Sequence, residues 1–378
     1  MAKRLLFVNH TSRLGGAEMV LLDVVLGFRG GGAFLFEDGL LRARLARLGI
    51  VSIIPKRPSG FSTIKRDRSL LRALPHLGGL ARTLWRLRQS ARKFDVIYAN
   101  SQKAFVLAAP ASAAARKPLI WHLHDILSPH HFGPAQIKLT ISLANLFATR
   151  VIVPSKAAAD AFVASGGKQA LVRIVPNGLD RVPKQAGVYR SDLKLACPFI
   201  IGVFSRLSPW KGQEVVLRAL VELPDTGCLI VGGALFGEDE YARGLVALAK
   251  KLGVSDRVRF VGHRDDVPDL MRIVDVVVHP STEPEPFGRT LVEAMLVRRP
   301  VVAANVGAVS EILEEGRVGI LFPPGDHMAL AECLRRVERG DAFENIGPAE
   351  ERALEFYNAR RMRNGIRDVI AEVAASRR

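Results

Sequence analysis

Short apolar runs dense in Val, Ile, Leu and Phe recur along the 378-residue chain. Before residue 180 they read "RLLFVN", "VSIIP", "DVIYAN", "PLIWHLH", "TRVIVPS" and "VRIVPNG". After it they read "PFIIGVFSR", "CLIVGG", "RVRFVGH", "DVVVHPS", "RPVVAANVG" and "GILFPPG". None shows the strict polar–apolar alternation of a half-exposed strand, and stretches of helical spacing separate them. Strands that are apolar on both faces belong in parallel sheets covered by helices. The pattern therefore predicts an α/β chain of two doubly wound Rossmann-like domains. Its length also exceeds what a single core usually fills. Periodicity is lost in "RVPKQAGVYRSDLKLACP", after "VPNGLD". The expected division is a first domain over 1–182, a second over 195–355, and a C-terminal helix over 356–378 that packs back towards the first. Ligands of such sheets bind beyond the carboxyl ends of the strands, so the two domains are expected to face each other across a cleft that holds the site.

Composition changes this picture little. Hydrophobic residues make up 48% and charged residues 24%, as in ordinary globular proteins. Cys197, Cys228 and Cys333 are scattered, with neither metal-type spacing nor a disulfide framework, which points to a reducing, cytoplasmic setting. The opening "MAKRLLFVNHTSRLGG" reads as a first buried strand rather than a signal segment, and no apolar run is long enough to span a bilayer.

Charge changes it more. The net charge is +17, and residues 1–180 hold 26 Lys+Arg against 9 Asp+Glu, so the first half carries the whole imbalance. Between Lys56 and Lys93 there are 11 basic residues and one acid, Asp67. Within that stretch Leu77, Leu80, Leu84 and Leu87 recur at helical spacing with Trp85 beside them and Arg82 and Arg86 turned away. This is the pattern of a basic amphipathic helix on an anionic membrane surface, which would make the protein peripheral on the inner face of the plasma membrane. The same stripe also suits packing on the first domain's sheet. With 7% aromatics and no aromatic–basic alternation, nucleic acid is not an expected partner.

The chemistry gathers in a few stretches. In "STEPEPFGRTLVEAMLVRRPVV", Glu285 and Glu293 are eight positions apart, and on one unbroken helix they would be rotated by about 80° and separated by about 12 Å. Pro286 and Gly288 instead put Glu285 in a loop at a helix mouth. The helix would start near Gly288 or Arg289, carry Leu291, Val292, Ala294, Met295 and Leu296 to a core, and place Glu293 in its second turn. Free N–H groups at such a start favour a phosphate. An anion site with a carboxylate on either side suits a nucleotide sugar, and an acidic loop beside a solvated helical Glu is the plainer reading. "FSRLSPWKG" supplies Arg206 and Lys211, the usual partners of a diphosphate. Gly15 and Gly16 open a helix after the first strand, either for a phosphate to approach or for a tight turn, and the full Gly-x-Gly-x-x-Gly of a dinucleotide site is missing. "WHLHD" puts His124 and Asp125 at a strand end. Ser155 reads as a helix cap. "HRDDVPD" is a lone acidic turn, and no stretch has metal-ligand clustering, so no metal and no cofactor are expected.

Taken in order, "GGAE", "WHLHD", "VPSKAAADAF", "VPNGLD", "FSRLSPWKG", "EPFGRTLVEAM", "PVVAANVGAVSEIL" and "GILFPPGD" closely resemble the family 4 retaining glycosyltransferases of two-domain GT-B fold, over most of the chain. The resemblance implies transfer of a sugar from a nucleotide-diphosphate sugar without a metal, and docking of the basic helix on a membrane would make the acceptor lipid-linked or a polysaccharide precursor. It implies that His124, Glu285, Arg206 and Lys211 carry the chemistry. The donor would be bound by Gly15, Gly16, Arg206, Lys211, Glu285, Phe287, Gly288, Arg289, Thr290 and Glu293. Glu285 would hold donor-sugar hydroxyls, Glu293 the ribose, Arg206 and Lys211 the diphosphate, and His124 the primary-hydroxyl side of the sugar. Gly307-Ala308 stands where many relatives have Gly-Gly. A nucleotide-sugar epimerase or a phosphorylase of similar fold is the rival enzyme reading, and a basic nucleic-acid- or membrane-binding protein the rival outside enzymes.

Overall fold

The computed structural model describes residues 4–28, 30–55, 77–129, 132–180, 187, 189–234, 237–341 and 343–375. The chain forms two compact units. One comprises residues up to Gly178 together with those from Ala359 onward, and the other Leu179–Asn358.

The first unit holds β1 (Leu5–Asn9), β2 (Gly32–Leu35), β3 (Val51–Ile53), β4 (Val96–Ala99), β5 (Leu119–His122), β6 (Arg150–Val153) and β7 (Val172–Ile174). They pair in the order β3-β2-β1-β4-β5-β6-β7, every pair parallel. Alternate side chains of each strand enter two separate cores. Leu6, Val8, Ile97 and Ala99 pack on one face, and Leu5, Phe7, Val96 and Tyr98 on the other. This is why the runs read as apolar throughout. The helix Ala359–Ala375 belongs to this unit. Its Met362, Ile366, Val369, Ile370 and Val373 join the second of those cores, and Glu372 takes hydrogen bonds from both Arg150 and Arg173 at 2.5 Å.

The second unit holds β8 (Phe199–Phe204), β9 (Thr226–Val231), β10 (Val258–Phe260), β11 (Val276–His279), β12 (Val301–Ala304) and β13 (Ile320–Phe322), in the parallel order β10-β9-β8-β11-β12-β13. Both sheets therefore reverse direction beside their first strand, between β1 and β4 and between β8 and β11. That is the switch point at which doubly wound sheets bind ligands. Cys228 and Cys333 are buried in the core of the second unit, and all three cysteines are free thiols. The residues expected to link the domains include 181–186 and 188, which lie outside the described residues.

The basic helix forms over Leu77–Ala91, but Leu80, Leu84 and Leu87 turn inward. Leu87 is fully buried, and Leu80 and Leu84 pack against the first unit's core. Those three leucines, expected to meet lipid, are used in packing. What stays outside is Trp85, 58% exposed, with Arg82. The remaining basic residues of the stretch, Lys56, Arg57, Lys65, Arg66, Arg68 and Arg72, lie outside the described residues. Among the described residues no helix is long and apolar enough to cross a membrane.

Candidate functional site

In the second unit the site is built from the ends of β8 and β11. After β8 the chain passes Arg206, makes a short 3-10 turn over Pro209–Lys211, and enters the helix Gln213–Ala219 through Gly212, whose φ is 69°. A Cβ on Gly212 would lie 1.9 Å from the Pro280 carbonyl oxygen, so only glycine lets this turn press against the loop after β11. The Thr282 N–H donates to the Trp210 carbonyl at 2.8 Å and ties the two loops together.

That closure brings two charges together from 74 residues apart. Lys211 Nζ donates to Glu285 Oε2 at 2.5 Å, with both side chains largely buried. Ser281 Oγ donates to the same carboxylate oxygen at 3.2 Å, and His279 Nε2 lies 3.4 Å from it. His279 Nδ1 in turn meets Thr290 Oγ1 at 3.2 Å. Burial alone would push the Glu285 carboxyl up, but the Lys211 ammonium and the bond from His279 outweigh it and hold the group well below the usual carboxylate range. Burial pulls the Lys211 pKa below its ordinary value, against the opposing pull of Glu285. Lys211 Nζ also lies 4.0 Å from the centroid of the Trp210 ring, with the Arg206 guanidinium 5.4 Å from the same centroid. Two cations are thus gathered at one aromatic ring.

Beyond Glu285 the chain turns at Gly288, φ 83°, into the helix Arg289–Leu296, whose start has no side-chain cap. Leu291, Val292, Ala294, Met295 and Leu296 are buried, and Phe287 packs edge-on against Tyr357. Glu293 lies on that helix, with Arg289 Nε 3.6 Å from its carboxylate. Gly307-Ala308 packs against the backbone of Glu285. The Ala308 N–H donates to the Glu285 carbonyl at 2.8 Å, and Gly307 is the position with no room, since a Cβ there would sit 2.4 Å from that carbonyl oxygen.

In the first unit, the helix Gly16–Val25 starts at the end of β1. Gly15 has extended backbone at φ −126°, where a Cβ would lie 3.1 Å from Glu18 Oε2, while a Cβ on Gly16 would meet nothing within 4 Å, so at Gly16 local geometry does not require glycine. The Gly15 N–H donates to Glu18 Oε2 at 3.1 Å. His124 lies beyond β5, its Nε2 3.0 Å from Asn100 Oδ1. Burial pushes its pKa down to about 4 against the pull of Asp125, so the ring is neutral near pH 7. Behind it, His122 Nδ1 meets the Tyr98 hydroxyl at 2.6 Å. Ser155 is a cap, accepting from the Ala158 N–H at 3.1 Å.

Several residues of these sites escape a reading of motifs: His279, Ser281, Trp210, Gln213, Asn9, Asn100 and Glu18. Gln213 is buried and donates to the Arg206 carbonyl at 2.9 Å, fixing the backbone from which Arg206 extends. The available signal was a polar residue closing an apolar strand, as in "LLFVN", "VIYAN" and "VVVH". Among the described residues, no three His, Cys, Asp or Glu side chains form a group that could hold a metal ion.

Two family models match the chain. "Glycosyltransferase Family 4" covers residues 40–182, and "Glycosyl transferases group 1" covers residues 190–353. Among solved structures, Anabaena Alr3699/HepE in complex with UDP-glucose superposes with a TM-score of 0.87 at 37% identity, over 98% of this chain and 100% of that one. Among curated proteins, the lipopolysaccharide core biosynthesis mannosyltransferase LpsB of Rhizobium meliloti is 31% identical over 46% of this chain and 54% of its own. The phosphatidyl-myo-inositol mannosyltransferase of Mycobacterium leprae is 33% identical over 53% and 54%. The chain thus spans about half the length of these curated relatives.

Proposed function

The chain belongs to the family 4 glycosyltransferases of two-domain GT-B fold, and on that basis we propose that it transfers a hexose from a uridine diphosphate sugar to a glycan or lipid-linked acceptor, with retention of configuration and without a metal. The observation that carries this reading is the buried Lys211–Glu285 pair beside Arg206, at the uncapped start of the helix Arg289–Leu296. The Alr3699/HepE complex supports the choice of uridine and glucose. The two mannosyltransferases support a glycan or lipid acceptor.

The chemistry follows from charge. The reaction breaks the bond from the anomeric carbon to the diphosphate and forms one to an acceptor oxygen, while a donor phosphate oxygen takes the acceptor's proton. Negative charge grows on the leaving diphosphate. Arg206 and Lys211, gathered at the Trp210 ring, stabilise it in place of a metal ion. Glu285, kept ionised, accepts hydrogen bonds from donor-sugar hydroxyls and orients the ring. It is not a nucleophile, and the paired carboxylates of glycosidases do not describe this site. Glu293 holds the ribose. Phe287 and Gly288 line the sugar pocket, and Thr290 and Arg289 offer backbone N–H groups at the helix start. Gly15 and Gly16 admit phosphate to their backbone, and His124 meets a hydroxyl of the sugar.

Until the donor arrives, Lys211 and Glu285 neutralise one another. The site thereby avoids two unpaired buried charges, each of which would cost several kcal/mol. Thermal-shift screening against uridine, guanosine and adenosine diphosphate sugars tests the reading. A UDP-sugar at about a hundredfold over its Kd should stabilise the fold by about 2.7 kcal/mol, and the other two bases by much less. A flat response across the panel would remove the donor site.

Association with an anionic membrane is part of the same proposal, now resting on Trp85 and the basic stretch rather than on the leucines. Co-sedimentation with anionic vesicles should weaken in Trp85→Ala and fall steeply with salt. Equal binding to neutral vesicles would leave the charge to a soluble anionic acceptor.

A further inference from the structure

The side chains behind His124 form a chain of hydrogen bonds whose direction can be read from its fixed ends. A backbone carbonyl can only accept, so the bond of 2.8 Å between Asn9 and the Thr11 carbonyl identifies the Asn9 atom involved as its amide nitrogen. The second hydrogen of that nitrogen goes to Glu18 Oε1 at 3.0 Å. Asn9 Oδ1 is then an acceptor, and it takes a hydrogen from Asn100 Nδ2 at 3.2 Å. The other Asn100 hydrogen goes to the Ala17 carbonyl at 3.1 Å, a second fixed acceptor. Asn100 Oδ1 therefore accepts as well, and its partner is His124 Nε2 at 3.0 Å. Flipping either amide would set oxygen against oxygen, at Thr11 and Glu18 for Asn9, and at Ala17 and Asn9 for Asn100. Glu18 is itself fixed by the Gly15 N–H and is 6% exposed.

On the transferase reading above, we propose that Asn9, Asn100 and Glu18 are positioning residues that hold His124 as the tautomer protonated on Nε2, so that Nδ1 accepts a hydrogen bond from a hydroxyl of a sugar substrate. The ring then selects for a donor at that position. A sugar lacking the hydroxyl, or bearing an ether oxygen there, loses the bond. Neither His122, whose ring centroid lies 4.0 Å from that of His124, nor Asp125 needs to carry the proton. The neutral state of the ring keeps Nδ1 available near pH 7.

The test reads the tautomer directly. Nitrogen-15 NMR of ring-labelled wild-type protein at pH 7 without ligand, with the His124 signals assigned by their loss in His124→Gln, should show an unprotonated Nδ1 and a protonated Nε2. Asn100→Ala should mix the tautomers and lower turnover roughly ten- to hundredfold, with UDP affinity changed by less than about threefold. Donor and acceptor analogues, each lacking one hydroxyl, distinguish the source of the partner. For the analogue without the bonded hydroxyl, wild type and Asn100→Ala should turn over alike. A proton on Nδ1 in the wild-type spectrum overturns the proposal without any variant having to fold. So does an Asn100→Ala protein that keeps both tautomer and turnover, or a panel in which no analogue cancels the loss. The expected spectrum in a protein that transfers no sugar would instead sink the transferase reading and uphold the tautomer.

Discussion

Lys211→Ala is expected to weaken UDP binding roughly hundredfold, about 3 kcal/mol, and to lower turnover at least as much. Two effects combine. The diphosphate loses a charge-assisted partner, and Glu285 loses the cation that lies 2.5 Å away in the free enzyme. An orphaned buried carboxylate costs about 3–5 kcal/mol, so the variant should also melt early. The pH dependence carries a sign that identifies the cause. In the wild type the Glu285 pKa is depressed, so its contribution to stability is present above the usual carboxylate range and is lost only as pH falls below it. With Lys211 gone, burial dominates and raises that pKa, so protonation relieves the variant as pH drops. The difference in Tm between variant and wild type should therefore narrow from pH 8 to pH 5. Lys211→Met combined with Glu285→Gln should recover much of the lost stability without recovering activity. Unchanged UDP affinity in Lys211→Ala would remove the diphosphate assignment.

Glu285→Gln should act on the other parameter. It keeps the shape of the side chain but removes the charge proposed to orient donor-sugar hydroxyls. Turnover is expected to fall roughly 10²- to 10³-fold, while UDP affinity holds or rises, since Lys211 is no longer engaged. Glu293→Ala should do the reverse, weakening the nucleotide more than it slows transfer. Isothermal titration with UDP beside initial-rate measurements separates the two. A Glu285→Gln enzyme with normal turnover would leave that carboxylate a structural partner of Lys211 alone.

The strands were legible because parallel sheets bury both faces, and a run such as "FIIGVF" has few other uses. The strand missed is Gly32–Leu35, only four residues long and opened by a glycine. That glycine serves packing rather than a turn, for a Cβ on it would lie 2.6 Å from the Phe94 ring. Phe94 is far away in sequence, so nothing local announces the strand. The Leu77–Ala91 helix shows a different limit. A leucine stripe beside arginines suits a lipid surface and a sheet equally well, and the choice was made by the core that receives Leu80, Leu84 and Leu87. In the site, Glu285, Arg206 and Lys211 stood out as unusual residues at strand and helix ends. What no spacing reveals is that Lys211 and Glu285 meet, or that His279 and Ser281 share the same carboxylate oxygen. Those contacts depend on two loops held together through Gly212 and Thr282.

The proposed reaction is transfer from a nucleotide-diphosphate sugar with retention, the diphosphate charge being met by Arg206 and Lys211. Proton NMR of a reaction with UDP-glucose in excess chelator tests it most directly, because the anomeric coupling constant of the product reports its configuration. Release of UDP and a small coupling, that of the same α configuration as the donor, are expected. A large coupling, or turnover that appears only when Mn²⁺ or Mg²⁺ is restored, would contradict it.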